Sequence, residues 1–420
     1  MSSATKPAWL RLAAIYCLFG YSSAAIKPLA TSPSGDVASW FPFYLASVIL
    51  LAVYFIFRQR KHVIEILRKN LFTILALCYV ALCCLWALDP FLSAANAIRY
   101  ITAALFGIAI FTLYSEEELL SDVALTMMLI TVSSLIISLT ITAQGSTGDR
   151  SVADYDSWQG AFTNRNALAL VMNLAFPVFI LAAKKLSYLR LPYILLAGLA
   201  FALIILSGSA TGILVFTIIA CLPLLLLLLR LPFGLLLTMV ISAISIIALA
   251  FTITGSRPGV SSILDLLGKD STLTGRTEIW HGIFYVMQNN GSRSIFGYGA
   301  QDINITTGGQ IVTELDARKT RKKPGAETQE RAVKPVDNLY LSLALKFGIA
   351  GCFLLVICLL KGVIIAFKEI KHGNSILKSF YIALILIMLV NGISESVERQ
   401  ILIWIFFSFI LATPYKKKTS

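Results

Sequence analysis

From Leu191 to Ser256 the chain carries one charged residue, Arg230. No other feature narrows the choice of fold as much. A membrane crossing takes about 20 apolar residues, so this stretch alone holds three. A bilayer core offers the backbone no water, so each crossing has to satisfy its own amides as a helix. The same pattern recurs along the chain, which is 57% hydrophobic and only 14% charged, against about 25% charged in a soluble domain. The expected fold is all-α: a polytopic membrane helical bundle of about twelve transmembrane helices, forming one integral domain over residues 1–420.

The spans are expected near 9–30, 39–57, 71–89, 93–114, 119–143, 166–183, 191–207, 210–229, 232–254, 339–360, 379–394 and 400–414. The first run lacks a signal peptide's small-residue cleavage site and reads as a retained span. The formal charge of +13 would raise nucleic acid as a partner in a soluble protein. Here the basic residues gather in alternate short loops: Arg58, Arg60, Lys61, Arg68 and Lys69; Lys184, Lys185, Arg190 and Arg230; Lys361, Lys368, Lys371 and Lys378; Lys416, Lys417 and Lys418. Cytoplasmic loops collect such residues, so both termini are expected on the cytoplasmic side, with no nucleic-acid partner. The acidic "SEEELLSD" loop adds nothing to that assignment, because acidic residues weigh little in it. The seven cysteines all lie in apolar runs, and the three histidines are scattered. Neither pattern makes a disulfide framework or a metal site, so no metal and no cofactor is expected.

This topology leaves an outer loop at 144–165, a large outer loop at 255–338 and a short acidic turn at 394–399. In the large loop, Ile279, Trp280, Ile283, Phe284, Val286 and Met287 recur at helical spacing. They predict an amphipathic helix over about 277–289, stopped by Asn289, Asn290 and Gly291 and followed by a glycine turn, "SIFGYGAQ". The GxG of that turn lacks the strand and third glycine of a dinucleotide site. The basic run at 317–335 has no apolar period and reads as a solvated arm.

"LGKDSTLTGRTEIW", "IFGYGAQ" and "VDNLYLSLALKFGIAG", in that order, resemble the O-antigen ligase and polysaccharide polymerase superfamily, and within it most nearly the exopolysaccharide polymerases. "WQGAFTNRNALAL", "LSGSATGIL" and "NGISESVERQILIWIFF" extend the resemblance over most of the chain from about residue 155 on. The family's ligases often carry His-Asn where this chain has Asp337-Asn338, so no histidine base stands there. The resemblance implies a glycosyltransferase of the bacterial inner membrane acting at the periplasmic face, with 255–338 as its large periplasmic loop. Its donor is an undecaprenyl-diphosphate-linked oligosaccharide and its acceptor a growing glycan, with a chain-length regulator as a possible partner. The ligase alternative transfers finished chains to a lipid A core. An alternative of another class is a lipid-linked saccharide flippase or anion transporter.

That chemistry needs cations for the diphosphate and a base for the acceptor hydroxyl. Arginine's planar fork suits phosphate. Arg276 precedes a helix N-terminus, Arg165 sits where the outer loop enters a span, and Arg99 lies within an apolar run; these three are the substrate-binding candidates, with snorkelling as Arg99's alternative. Arg257 and Arg293 are weaker, solvated or lipid-facing. The catalytic candidates are Asp337 as general base, with a simple helix N-cap as its alternative, and Glu395, alternatively an interfacial carboxylate paired with Arg399.

Overall fold

The computed structural model describes residues 6–22, 40–143, 158–162, 164–186, 189–220, 276–305, 309–313, 334–336, 338–372, 378–394 and 401–416. Helices dominate. They are α1 (Ala8–Ser22), α2 (Phe41–Arg58), α3 (Arg60–Arg68), α4 (Leu71–Leu82, extended by a 3-10 turn at Cys83–Trp86), α5 (Pro90–Leu113), α6 (Glu116–Ala143), α7 (Arg165–Lys185), α8 (Arg190–Leu206) and α9 (Ala210–Ala220). Within the 255–338 segment lie α10 (Arg276–Asn289) and α11 (Gly291–Phe296), and after it come α12 (Leu339–His372), α13 (Lys378–Ser394) and α14 (Ile401–Lys416).

Among the described residues, five helices are long and apolar enough to cross a membrane: α2, α5, α6, α7 and α12. A sixth counts if α3 and α4 make one bent span, while α8, α9 and α14 are shorter apolar helices. The molecule is therefore a helical membrane protein. The expected span at 232–254 lies outside the described residues, and the count of about twelve stays an expectation.

Local chemistry starts the helices where the sequence permits. Asp89 accepts from the Leu92 amide at 2.9 Å, with Pro90 at the first helical position of α5. The acidic "SEEELLSD" turns out to be a helix start. The Ser115 amide donates to Glu118 at 2.9 Å, and the Glu118 amide donates to the Ser115 hydroxyl at 3.2 Å. This reciprocal pair is a capping box, and three glutamates in the first turn favour the helix dipole.

One continuous apolar core joins α1 through α9 to α12, α13 and α14. Lipid tails compete equally for apolar side chains, so close approach matters more than apolarity. Gly107 of α5 illustrates this: a Cβ there would strike the Ser408 side chain and the Ile405 backbone of α14. Polar ties fix α1 in place. Arg11 holds the buried Asp122 of α6 through Nε at 2.8 Å, and the Tyr114 hydroxyl donates to the Leu10 carbonyl at 3.0 Å.

Two expectations need correction. The charged 58–70 segment is not a plain loop: α3 forms because Val63 and Ile66 share one face and are buried. The span expected over 339–360 is not straight, since Gly348 interrupts α12 with non-helical backbone.

Candidate functional site

The amphipathic helix expected over 277–289 is present as α10, ending at Asn289. Ile279, Trp280, Ile283 and Val286 are buried against Tyr298, Ile303 and Ile305 and against Leu341 and Leu345 at the start of α12. A small antiparallel sheet supports this second core. Its strands are β1 (Ile303–Ile305), β2 (Ile311–Thr313) and β3 (Lys334–Pro335), in the order β2-β1-β3. The basic arm thus ends in a strand at Lys334, because its last residues pair with Asn304 and Ile305.

The break in α12 is what binds this outer segment to the bundle. Gly348 sits at φ +64°, where a Cβ would run into the Ile295 carbonyl and the Gly297 amide; at Gly297, φ +80°, a Cβ would meet Lys346 and Gly348 backbone. Only glycine allows two backbones this close with both residues left-handed. Interrupting a membrane helix strips carbonyls of their partners, and the neighbours replace them. Tyr298 N donates to Leu345 O at 2.9 Å, Gly299 N to Lys346 O at 2.9 Å, and the Tyr79 hydroxyl of α4 to Phe347 O at 2.9 Å. Tyr79 also reaches Phe296 O at 3.0 Å, as does Trp86 Nε1 at 3.0 Å. The turn into α5 closes the clasp: Leu88 N donates to Tyr298 O at 3.2 Å, Asp89 N to Gln301 Oε1 at 3.0 Å and Ala300 N to Ser93 Oγ at 2.8 Å.

A polar seam runs along the first half of α12. Asn338, Ser342 and Lys346 are buried and spaced i, i+4, i+8, so they share one face. Leu341 and Leu345 beside them join the outer core, and Leu339, Leu343 and Phe347 join the main core. Asn338 caps the helix, its Oδ1 accepting from Leu341 N at 3.0 Å. The Lys346 side chain is 1% exposed, and its ammonium donates to Asp302 at 2.9 Å. A buried ammonium needs such a partner.

A second polar face lies at the end of α7. Trp158 N donates to Leu206 O at 3.1 Å, and Gly160 N to Ser138 Oγ at 3.1 Å. "WQGAF" is thereby seated on α6 and α8. Asn164 then caps α7, accepting from Ala167 N at 2.7 Å. Deeper in α7 the buried Asn173 donates to Gly212 O at 3.0 Å across from the Ser207–Ser209 turn, leaving its own Oδ1 without a partner. Asn391, buried near the end of α13, has an unpartnered amide nitrogen.

Residues 193–356 match the family model for O-antigen ligase. Over this segment the chain is similar to that family, which supports the O-antigen ligase superfamily. The matched segment begins in α8, takes in the whole outer segment and ends past the Gly348 break. No curated protein matches the chain. That similarity suggests a membrane enzyme of the glycosyl-transferring kind, with a role in polysaccharide synthesis on a lipid-linked glycan and an acceptor.

The predicted site residues fall as follows. Arg276 is the first residue of α10; its side chain lies outside the described set. Arg165 opens α7 and is half-buried. Arg99 stands in the third turn of α5, also half-buried, with its Nε enclosed and unpartnered and one terminal nitrogen 3.5 Å from Asn96 Oδ1. Its neighbour Tyr100 packs on Trp404 and lines an apolar cleft with Val80, Ala104, Leu343 and Phe347. Asp337 and Glu395 lie outside the described residues, as does Arg257. The cap that the structure describes at this helix start is Asn338. Arg293 is corrected: it is half-buried, donates to the Trp86 carbonyl and lies 5.5 Å over the Tyr298 ring. Burial pushes the Tyr298 phenol up, and Arg293 opposes that shift. Sequence reasoning missed Lys346, whose one signal was a charge inside an apolar run, and Asp302, which had none.

Proposed function

We propose that this chain is a polymerase that joins undecaprenyl-diphosphate-linked oligosaccharide repeats at the periplasmic face, without a metal, with both termini cytoplasmic. One observation supports the reading: the outer segment is seated on the first half of α12, where α10 packs on Leu341 and Leu345, Asn338 caps the helix and Lys346 pairs with Asp302. In the proposed step an acceptor hydroxyl oxygen attacks the anomeric carbon of the donor. The bond from that carbon to the diphosphate oxygen breaks, the hydroxyl proton passes to the Asp337 carboxylate, and undecaprenyl diphosphate leaves. Glu395 is the alternative base. Arg276, Arg165 and Arg99 are the proposed holders of diphosphate charge. The enclosed, unpartnered Nε of Arg99 supports its place among them, since a buried donor without a partner calls for one.

The description of the matched family favours a second reading, ligase transfer of finished chains to a lipid A core. Both are tested by giving the reconstituted protein purified lipid-linked repeat, with and without lipid A core. A ladder of products and free undecaprenyl diphosphate from donor alone supports polymerisation. A single product that requires the core supports the ligase. Movement of intact donor with no diphosphate released would mean a transporter. In the same assay Arg276→Lys keeps the charge but loses the fork, and a loss on the order of tenfold in rate is expected.

A further inference from the structure

At the end of the bundle away from α10, α3 is turned 106° from the helix Leu71–Trp86. It follows directly on the spanning helix α2 and ends beside Lys361 of α12, whose ammonium is 3.5 Å from the Lys69 carbonyl. Val63 and Ile66 face the bundle and are buried. The remaining surface has two sides. On one, Arg60, Ile64 and Arg68 form a row at i, i+4, i+8, with Lys61 beside Arg68 on the helix circumference. Ile64 is 47% exposed, and Arg60 lies 4.5 Å over the ring of Phe57, itself 66% exposed at the end of α2. On the other side His62, Glu65 and Lys69 are exposed, and Glu65 neutralises Lys69 at 2.6 Å. Among the described residues, no carboxylate pairs with Arg60, Lys61 or Arg68.

From this geometry we propose that α3 is a docking surface for anionic phospholipid headgroups in the leaflet opposite the α10 segment. The row matches that partner in both its parts. Ile64 and Phe57 reach the acyl boundary, as the apolar face of an interfacial helix does. The three unpaired cations around them stand at headgroup height, where each basic residue gains from anionic lipid. Lys69, already paired, belongs to the water side and takes no part. The surface is independent of the glycosyl-transfer site, which lies at the other end of the bundle.

Native mass spectrometry of the full-length protein, titrated with phosphatidylglycerol in detergent, tests this. Wild type retains phosphatidylglycerol in preference to phosphatidylcholine. The triple variant Arg60→Gln, Lys61→Gln, Arg68→Gln needs on the order of a hundredfold more phosphatidylglycerol for the same occupancy. The water-side control Glu65→Gln, Lys69→Gln binds like wild type. Inorganic phosphate at equal concentration does not displace the lipid. Wild-type retention by the triple variant, equal retention of phosphatidylcholine by wild type, or displacement by free phosphate would each overturn the proposal.

Discussion

The corner at Asn70 and the break at Gly348 interrupt two helices that pack on each other, α4 and α12, at opposite ends of the bundle. They are repaired by opposite means. At the corner the chain satisfies itself: Asn70 is buried, its side chain donates to Ile66 O at 2.8 Å, and its carbonyl accepts from Thr73 N at 2.9 Å. At Gly348 the freed carbonyls go to Tyr79, Tyr298 and Gly299, residues far away in sequence. A local repair leaves the corner's outer face free for lipid. A long-range repair couples the break to the outer segment, so the geometry of one depends on the other.

Gly348→Ala attacks the long-range repair most severely. The left-handed backbone alone costs about 1–2 kcal/mol for a residue with a Cβ, and the clash with Ile295 and Gly297 backbone adds roughly 1–3 kcal/mol. Thermal unfolding in detergent should show a large drop or no folded protein. Gly198→Ala in α8 is its control: nothing lies within 4 Å of its Cβ, and about 0.5–1 kcal/mol of helix propensity is gained.

Next in size is Lys346→Met, which leaves Asp302 without its ammonium. Asp302 is 33% exposed, so water recovers part of its solvation, and a loss of about 1–3 kcal/mol is expected. It should appear both in thermal stability and as faster amide exchange at Tyr298 and Gly299, the donors beside it. Unchanged exchange would mean that the pair is not part of the clasp.

The smallest effects separate the two repairs directly. Tyr79→Phe removes hydrogen bonds to Phe296 O and Phe347 O, costing about 1–2 kcal/mol, and should loosen the outer segment. Asn70→Ala costs about 1 kcal/mol and should leave exchange in 297–302 unaltered. If Asn70→Ala also loosened that segment, the two interruptions would not be independent.

The same contrast explains what could be read in advance. The α10 helix was legible because Ile279, Trp280, Ile283 and Val286 announce one face through spacing alone. The family order of motifs was legible too, and the match over 193–356 supports it. The α3 helix was hidden behind its own charges, since only Val63 and Ile66 mark its buried side. The break at Gly348 was hidden for another reason. Glycine is common in membrane helices, and its left-handed backbone is required only because Ile295 and Gly297 press against it. Lys346 reads as one charge in an apolar run until Asp302 arrives from the outer segment. Contacts across such separations leave no periodic trace.

The most direct test is single-turnover transfer by the purified protein from undecaprenyl-diphosphate-linked donor, comparing wild type with Asp337→Asn. Asn338 already caps α12, so the variant should fold and insert as wild type does. An amide cannot take the acceptor proton, and transfer should fall by about 10²-fold or more while donor binding persists. Wild-type turnover by Asp337→Asn would contradict the account and pass the role of base to Glu395.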